Sequence, residues 1–164
     1  MQAATDRLLV ATTSDPAAAF MVVTEAVWWV TLVDATLVRY HQAAYGRLLA
    51  HQSDTERLTI EDTFAGLRFV RNQMGRQPGP GDLIRSPRQP GKLAGRIADW
   101  TWAHASEPIL AAQPGPARDW ELARRRSYLA QLAGHPIGAT FTQAAAFLQQ
   151  AWTAAAVDQQ PLAQ

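Results

Sequence analysis

Arg68, Arg71, Asn72, Arg76, Arg85 and Arg88 concentrate cationic and amide donors within twenty-one residues, a set whose natural counterpart is a carboxylate or a phosphate. Arg71 carries the sharpest demand. Residues 60–76 read as an amphipathic helix on which Val70, Met74, Leu67, Ile60 and Phe64 fall in one arc, and Arg71 falls between Ile60 and Phe64. A guanidinium on an apolar face cannot discharge itself, so it must meet a carboxylate, backbone carbonyls or a ligand phosphate. The internal answers are Asp34 or Glu25, and we take Asp34–Arg71 as the expected structural ion pair; the external answer is a bound anion.

Other chemistry finds less support. Zinc motifs of the His-Glu-x-x-His type, a phosphate loop ending in Lys-Ser or Lys-Thr, and a Gly-x-Ser-x-Gly elbow are all missing from the sequence. The glycines at 75, 79, 81 and 91 alternate with prolines, which remove backbone donors where a phosphate cradle needs them. The four histidines, His41, His51, His104 and His135, are widely spaced, and only His41 shares a core stripe, with Val27, Asp34 and Leu48. Asp34 and His41 stand about 10.5 Å apart along one helix, too far for direct contact. No catalytic residue is assigned, and neither metal nor cofactor is expected. Trp100 and Trp102, near the arginines, are read either as core or as surfaces for stacking bases or contacting a partner.

Composition narrows the setting. The chain has 164 residues, 48% of them hydrophobic, and no cysteine, which removes disulfides and thiolate chemistry and fits a reducing cytoplasm. No basic leader running into an apolar stretch is seen, and a cytoplasmic location is expected. Pro16 to Val38 is apolar enough to suggest a membrane span, but Glu25 and Asp34 would lie in hydrocarbon, so we read it as a core helix and expect no membrane partner. Net charge is +1, unevenly placed: residues 1–67 carry four arginines against eight carboxylates, whereas residues 68–96 carry seven cations against Asp82 alone. Such asymmetry serves either two faces of one fold or an acidic partner or RNA.

The elements that would position these residues are helices. A short helix is expected over residues 3–12. Ser14, Asp15 and Pro16 open a long one running through Val38 towards Leu48, and Ser53 with Glu56 forms a capping box for the next, which Gly75 ends. The short link between these two favours an antiparallel hairpin. Residues 75–91 form a long Pro/Gly-rich loop, and residues 92–107 an irregular or briefly helical crossover. Pro116 opens a helix ending at Gly134, with Leu122, Leu129, Leu132 and Ala133 as its apolar face, and Thr140 with Gln143 caps the last one. The fold expected is all-α: an antiparallel bundle of four to five helices with the long loop between the second and third, one domain over 1–158 and a frayed tail over 159–164.

The segment Gly66-Leu67-Arg68-Phe69-Val70-Arg71-Asn72, a helix closing in Arg-Asn, resembles the signature of the HEPN superfamily, helical-bundle proteins that include prokaryotic ribonuclease toxins and defence effectors. In that family an Arg is followed by a His after four to six residues, and two subunits bring the pairs together for metal-independent RNA cleavage. Here the three positions open to that His hold Arg76, Gln77 and Pro78. The resemblance therefore implies a homodimeric, non-catalytic member that binds RNA or an acidic protein through its basic segment. The alternative is a metal-independent ribonuclease or nucleotide-modifying toxin whose acid–base residue, His104 or His41, comes from elsewhere.

Overall fold

The computed structural model describes residues 2–76, 79–87, 95–104 and 115–158. Among them run seven helices: α1 (Gln2–Val10), α2 (Pro16–Tyr40), α3 (Gln42–Ala50), α4 (Asp54–Met74), α5 (Pro80–Leu83), α6 (Pro116–Gln131) and α7 (Ile137–Asp158). Four two-residue strands make two minimal antiparallel pairs: β1 (Thr12–Thr13) with β3 (Gly95–Arg96), and β2 (Ile84–Arg85) with β4 (Thr101–Trp102). The class is all-α. The tail beyond Asp158, and Arg88 and Lys92 of the basic segment, lie outside the described residues.

Local chemistry sets the helix ends. Asp15 accepts from the Ala17 amide at 2.9 Å, with Pro16 in the first turn of α2. Ser53 and Glu56 close a reciprocal capping box on α4, and these bonds hold the Glu56 carboxyl below its ordinary pKa. Thr140 does not cap the last helix. That helix begins three residues earlier, at Ile137, because the Ile137 amide bonds the Trp100 carbonyl at 2.7 Å and the Thr140 hydroxyl accepts from Trp102 Nε1 at 3.0 Å.

The long first helix expected from the sequence is two helices. It breaks at His41, where φ is −132° and ψ 35°, and α3 turns away to pack on α7. The Pro/Gly-rich stretch contains α5 and β2, and the crossover after it is strand, 3-10 turn (Ile97–Asp99) and strand. Trp100 and Trp102 are 1% and 0% exposed, so both belong to the core and neither stacks a ligand or meets a partner. Gly134, with φ +80°, makes the turn that brings α7 back against Trp102.

Helix α4 lies between α2 and α6, which is its most extensive partner. At the crossing with α6, a Cβ on Gly66 would stand 3.2 Å from the Tyr128 backbone, so glycine is what allows the close approach. Phe69 meets Tyr128 with ring centroids 5.1 Å apart. The buried face of α6 carries Glu121, Tyr128 and Leu132, while Leu129 is 36% exposed. Of the expected face, Leu132 and Ala133 are buried just past the helix end, whereas along the helix itself Glu121 and Tyr128 are buried in place of Leu122 and Leu129, one residue or about 100° round, because both find partners on this side. Helix α2 is long and apolar enough to cross a membrane by length and composition. One face of it packs into the bundle through Val23, Val27, Val30 and Leu37; the opposite face exposes Met21, Trp28, Trp29 and Leu32.

Candidate functional site

The last two turns of α4 hold Arg68, Arg71, Asn72 and Gln73, Arg76 follows just past the helix end, and these side chains meet different neighbours. Arg68, not Arg71, pairs with Asp34. In the antiparallel packing of α2 and α4, Arg68 is level with Asp34, and Arg71, about 4.5 Å farther along α4, reaches on towards Trp28, about 9 Å along α2 from Asp34. The Arg71 guanidinium sits 5.7 Å from the Trp28 ring centroid, a cation–π contact at the half-exposed edge of the α2–α4 seam. Glu25, the other candidate partner, pairs with Arg7 of α1 instead.

Asp34 is fully buried and both its oxygens are occupied, Oδ2 by Arg68 and Oδ1 by the Tyr45 hydroxyl at 2.8 Å. The break at His41 makes the second bond possible. On an uninterrupted helix, residues 34 and 45 would be separated by about 16 Å along the axis, beyond the reach of a tyrosine. The turn into α3 folds Tyr45 back. Burial first, then the negative charge of Asp34, pushes the Tyr45 phenol above its ordinary pKa, so it remains a proton donor to the carboxylate.

A second carboxylate, Glu121 of α6, takes the rest of the segment. Its Oε2 accepts from Asn72 Nδ2 at 3.2 Å, its Oε1 accepts from Gln73 Nε2 at 3.0 Å, and Arg76 lies 3.5 Å away. Glu121 is 6% exposed, so these donors are what make its burial tolerable. The sequence reading overlooked it. A usable signal was present: Glu121 stands seven residues before Tyr128, on one stripe of a helix that must face the arginine-bearing α4.

The remaining site residues separate. Arg85 is exposed on β2, near enough to Tyr128 to oppose electrostatically the rise that burial imposes on that phenol. Arg88 lies outside the described residues. Thus Arg71, Asn72 and Arg76 share one helix end, Arg68 turns inward from it, and Arg85 sits on another element.

The histidines do not assemble with Arg71 through any contact among the described residues. His41 packs edge-on against Trp152 of α7, ring centroids 6.1 Å apart. It stands about 20 Å along α2 from Trp28, which carries Arg71. His51, His104 and His135 are exposed. Among the described residues no group of three His, Asp or Glu could hold a metal ion. Two open grooves, of about 280 and 470 Å³, lie along α7. The first is lined by Gln52, Glu56, Thr59 and Phe147, with Glu56 held in the Ser53 capping box, and the second by Thr5, Leu9, Thr142 and Ala145. Compared with protein-family models, curated proteins and solved structures, the chain gives no match.

Proposed function

We propose that this chain is a non-catalytic helical interaction protein of the cytoplasm, HEPN-like in carrying Arg71 and Asn72 at the end of a bundle helix. The single observation that carries the reading is Glu121. It accepts hydrogen bonds from Asn72 and Gln73 together, so the amide donors that a phosphate would need beside Arg71 are turned to holding α4 on α6. Among the described residues of the basic segment, the cations still open to an acidic partner or RNA are Arg71, Arg85 on β2, and Arg76, which meets Glu121 only at 3.5 Å and keeps its side chain 51% exposed. Three such contacts make a weak and salt-sensitive surface.

Incubation with generic single-stranded RNA tests both halves. The chain should leave the RNA intact and bind it weakly, with affinity falling as salt rises at a logarithmic slope of about −2, the value for three phosphate contacts. A slope near zero, or no binding, removes RNA as the partner. Cleavage that disappears in Arg71→Ala would replace this reading with the ribonuclease one.

A further inference from the structure

We infer that the outward face of α2 is a self-complementary docking surface for a second copy of this chain, packed antiparallel about a two-fold axis at Leu32. This goes beyond the interaction reading above by naming the occupant and its register.

Helix α2 is apolar on both sides. At 100° per residue, Met21, Glu25, Trp28, Leu32 and Arg39 fall within about 60° of one another, with Trp29, Ala35 and Thr36 flanking them. Met21 is 70% exposed, Trp28 53%, Leu32 52% and Trp29 45%, and the stripe runs about 27 Å along the helix. A contiguous row of this kind, two tryptophans at its centre, marks a contact surface more than a solvated one.

Charge and size choose the occupant. Glu25 and Arg39 are the two charges on the stripe, each seven residues from Leu32 and on opposite sides of it along the axis. An antiparallel pair centred on Leu32 therefore sets each Arg39 against the partner's Glu25, twice. Arg39 has no carboxylate partner among the described residues; its guanidinium lies 5.3 Å from the Tyr40 ring centroid. Glu25 already pairs with Arg7 at the surface, and its side chain remains 42% exposed, open to a second cation. The same register places Trp28 against the partner's Thr36 and Trp29 against the partner's Ala35, large residues over small ones. The Thr36 hydroxyl is satisfied within its own helix, donating to the Leu32 carbonyl at 2.8 Å, so covering it strands no donor. A parallel pair would oppose Trp28 to Trp28, Glu25 to Glu25 and Arg39 to Arg39. It fails on both counts.

One helix seam is small against the roughly 800 Å² per partner of a standard interface. A micromolar dimer is therefore expected. Sedimentation velocity from about 1 to 100 μM reads it directly. Wild type should pass from monomer to dimer in that range, and Leu32→Asp should remain monomeric with an unchanged melting temperature, since that side chain is exposed in the single chain. Glu25→Lys and Arg39→Glu should each weaken self-association about tenfold, because each dimer then holds two like-charge contacts. Mixed in equal amounts, those two variants should associate as tightly as wild type, since every contact in the heterodimer is again between opposite charges.

A monomeric wild type at 100 μM, a dimer indifferent to Leu32→Asp, or a mixture no tighter than its components overturns the inference. So does a monomer that floats with phosphatidylcholine–phosphatidylglycerol vesicles and loses this property in Leu32→Asp, which would assign the face to a lipid surface. The two readings fail separately. A monomer that binds RNA without cutting it sinks the dimer alone, and a dimer that cuts RNA through Arg71 sinks the non-catalytic reading alone.

Discussion

Replacing Arg68 by methionine keeps the aliphatic stem and removes the cation that answers Asp34. The carboxylate is fully buried, with the Tyr45 hydroxyl as its other partner, so the variant leaves a buried charge with one neutral donor. Breaking a buried pair from one side costs about 3–5 kcal/mol. The Arg68 side chain is 30% exposed, which admits some water to the site and places the cost near the lower end, about 3 kcal/mol. For a chain of this length each kcal/mol moves the melting temperature by about 2–4 °C, so a fall of about 6–12 °C is expected. Arg71→Met removes only a half-exposed cation–π contact, worth about 0.5–1 kcal/mol, and should lower it by about 1–4 °C. Tyr45→Phe takes away one hydrogen bond to a charged acceptor, about 1.5–3 kcal/mol. Urea unfolding followed by far-UV circular dichroism gives all three differences. The triple variant Asp34→Leu, Tyr45→Phe, Arg68→Met removes the charge with its partners and should recover most of the stability lost in Arg68→Met alone. The reasoning is refuted if Arg71→Met costs as much as Arg68→Met, or if the triple variant is no more stable than Arg68→Met.

Two further outcomes follow from particular contacts. Tyr45 and Tyr128 both have phenol pKa values raised by burial, so below pH 10, the ordinary phenol value, both states keep the proton and stability is unaffected. Above it the unfolded chain releases protons that the folded chain retains. Urea midpoints should therefore fall as pH rises past about 10, and less steeply in Tyr128→Phe; a midpoint unchanged between pH 9 and 11 would contradict the burial of these groups. Gly138→Ala would place a methyl group 2.7 Å from Ala98 Cβ and 3.0 Å from its carbonyl oxygen. The clash, about 1–3 kcal/mol, should outweigh the helix-propensity gain of up to about 1 kcal/mol; a raised melting temperature would mean that the 3-10 turn yields freely.

Signals between chain neighbours are the more legible ones, and the expected Thr140–Gln143 box fails because Trp102, remote in sequence, takes the Thr140 hydroxyl. The Ser53–Glu56 box, Pro16 behind Asp15 and Pro116 at the head of α6 all depend on atoms within four residues, and helices start where they indicate. Partner choice depends on register between helices remote in sequence. The need of the α4 arginines for a carboxylate is legible; that Arg68 takes Asp34 and Arg71 takes an indole is not, because a shift of one turn exchanges them. The break at His41 carries no proline or glycine and is explained only by what it achieves, the return of Tyr45 to Asp34. Glu121 was hidden for a related reason, since a polar residue counts as surface until a neighbouring helix is seen to supply its donors. The tryptophans mislead in the same way. Trp100 and Trp102 sit among polar residues yet are enclosed, and Trp28 and Trp29 sit in the most apolar stretch of the chain yet face outward.

The anion at Asp34 also ties three helices into one event. At nine residues, α3 is too short to persist alone in water, and detaching it would withdraw the phenol from a carboxylate still pressed against hydrocarbon. Releasing α4 instead would withdraw the guanidinium. Neither partial opening is cheap, so the amides of α3 should exchange with deuterium only as slowly as those of α4, and the short helix borrows its permanence from the whole fold.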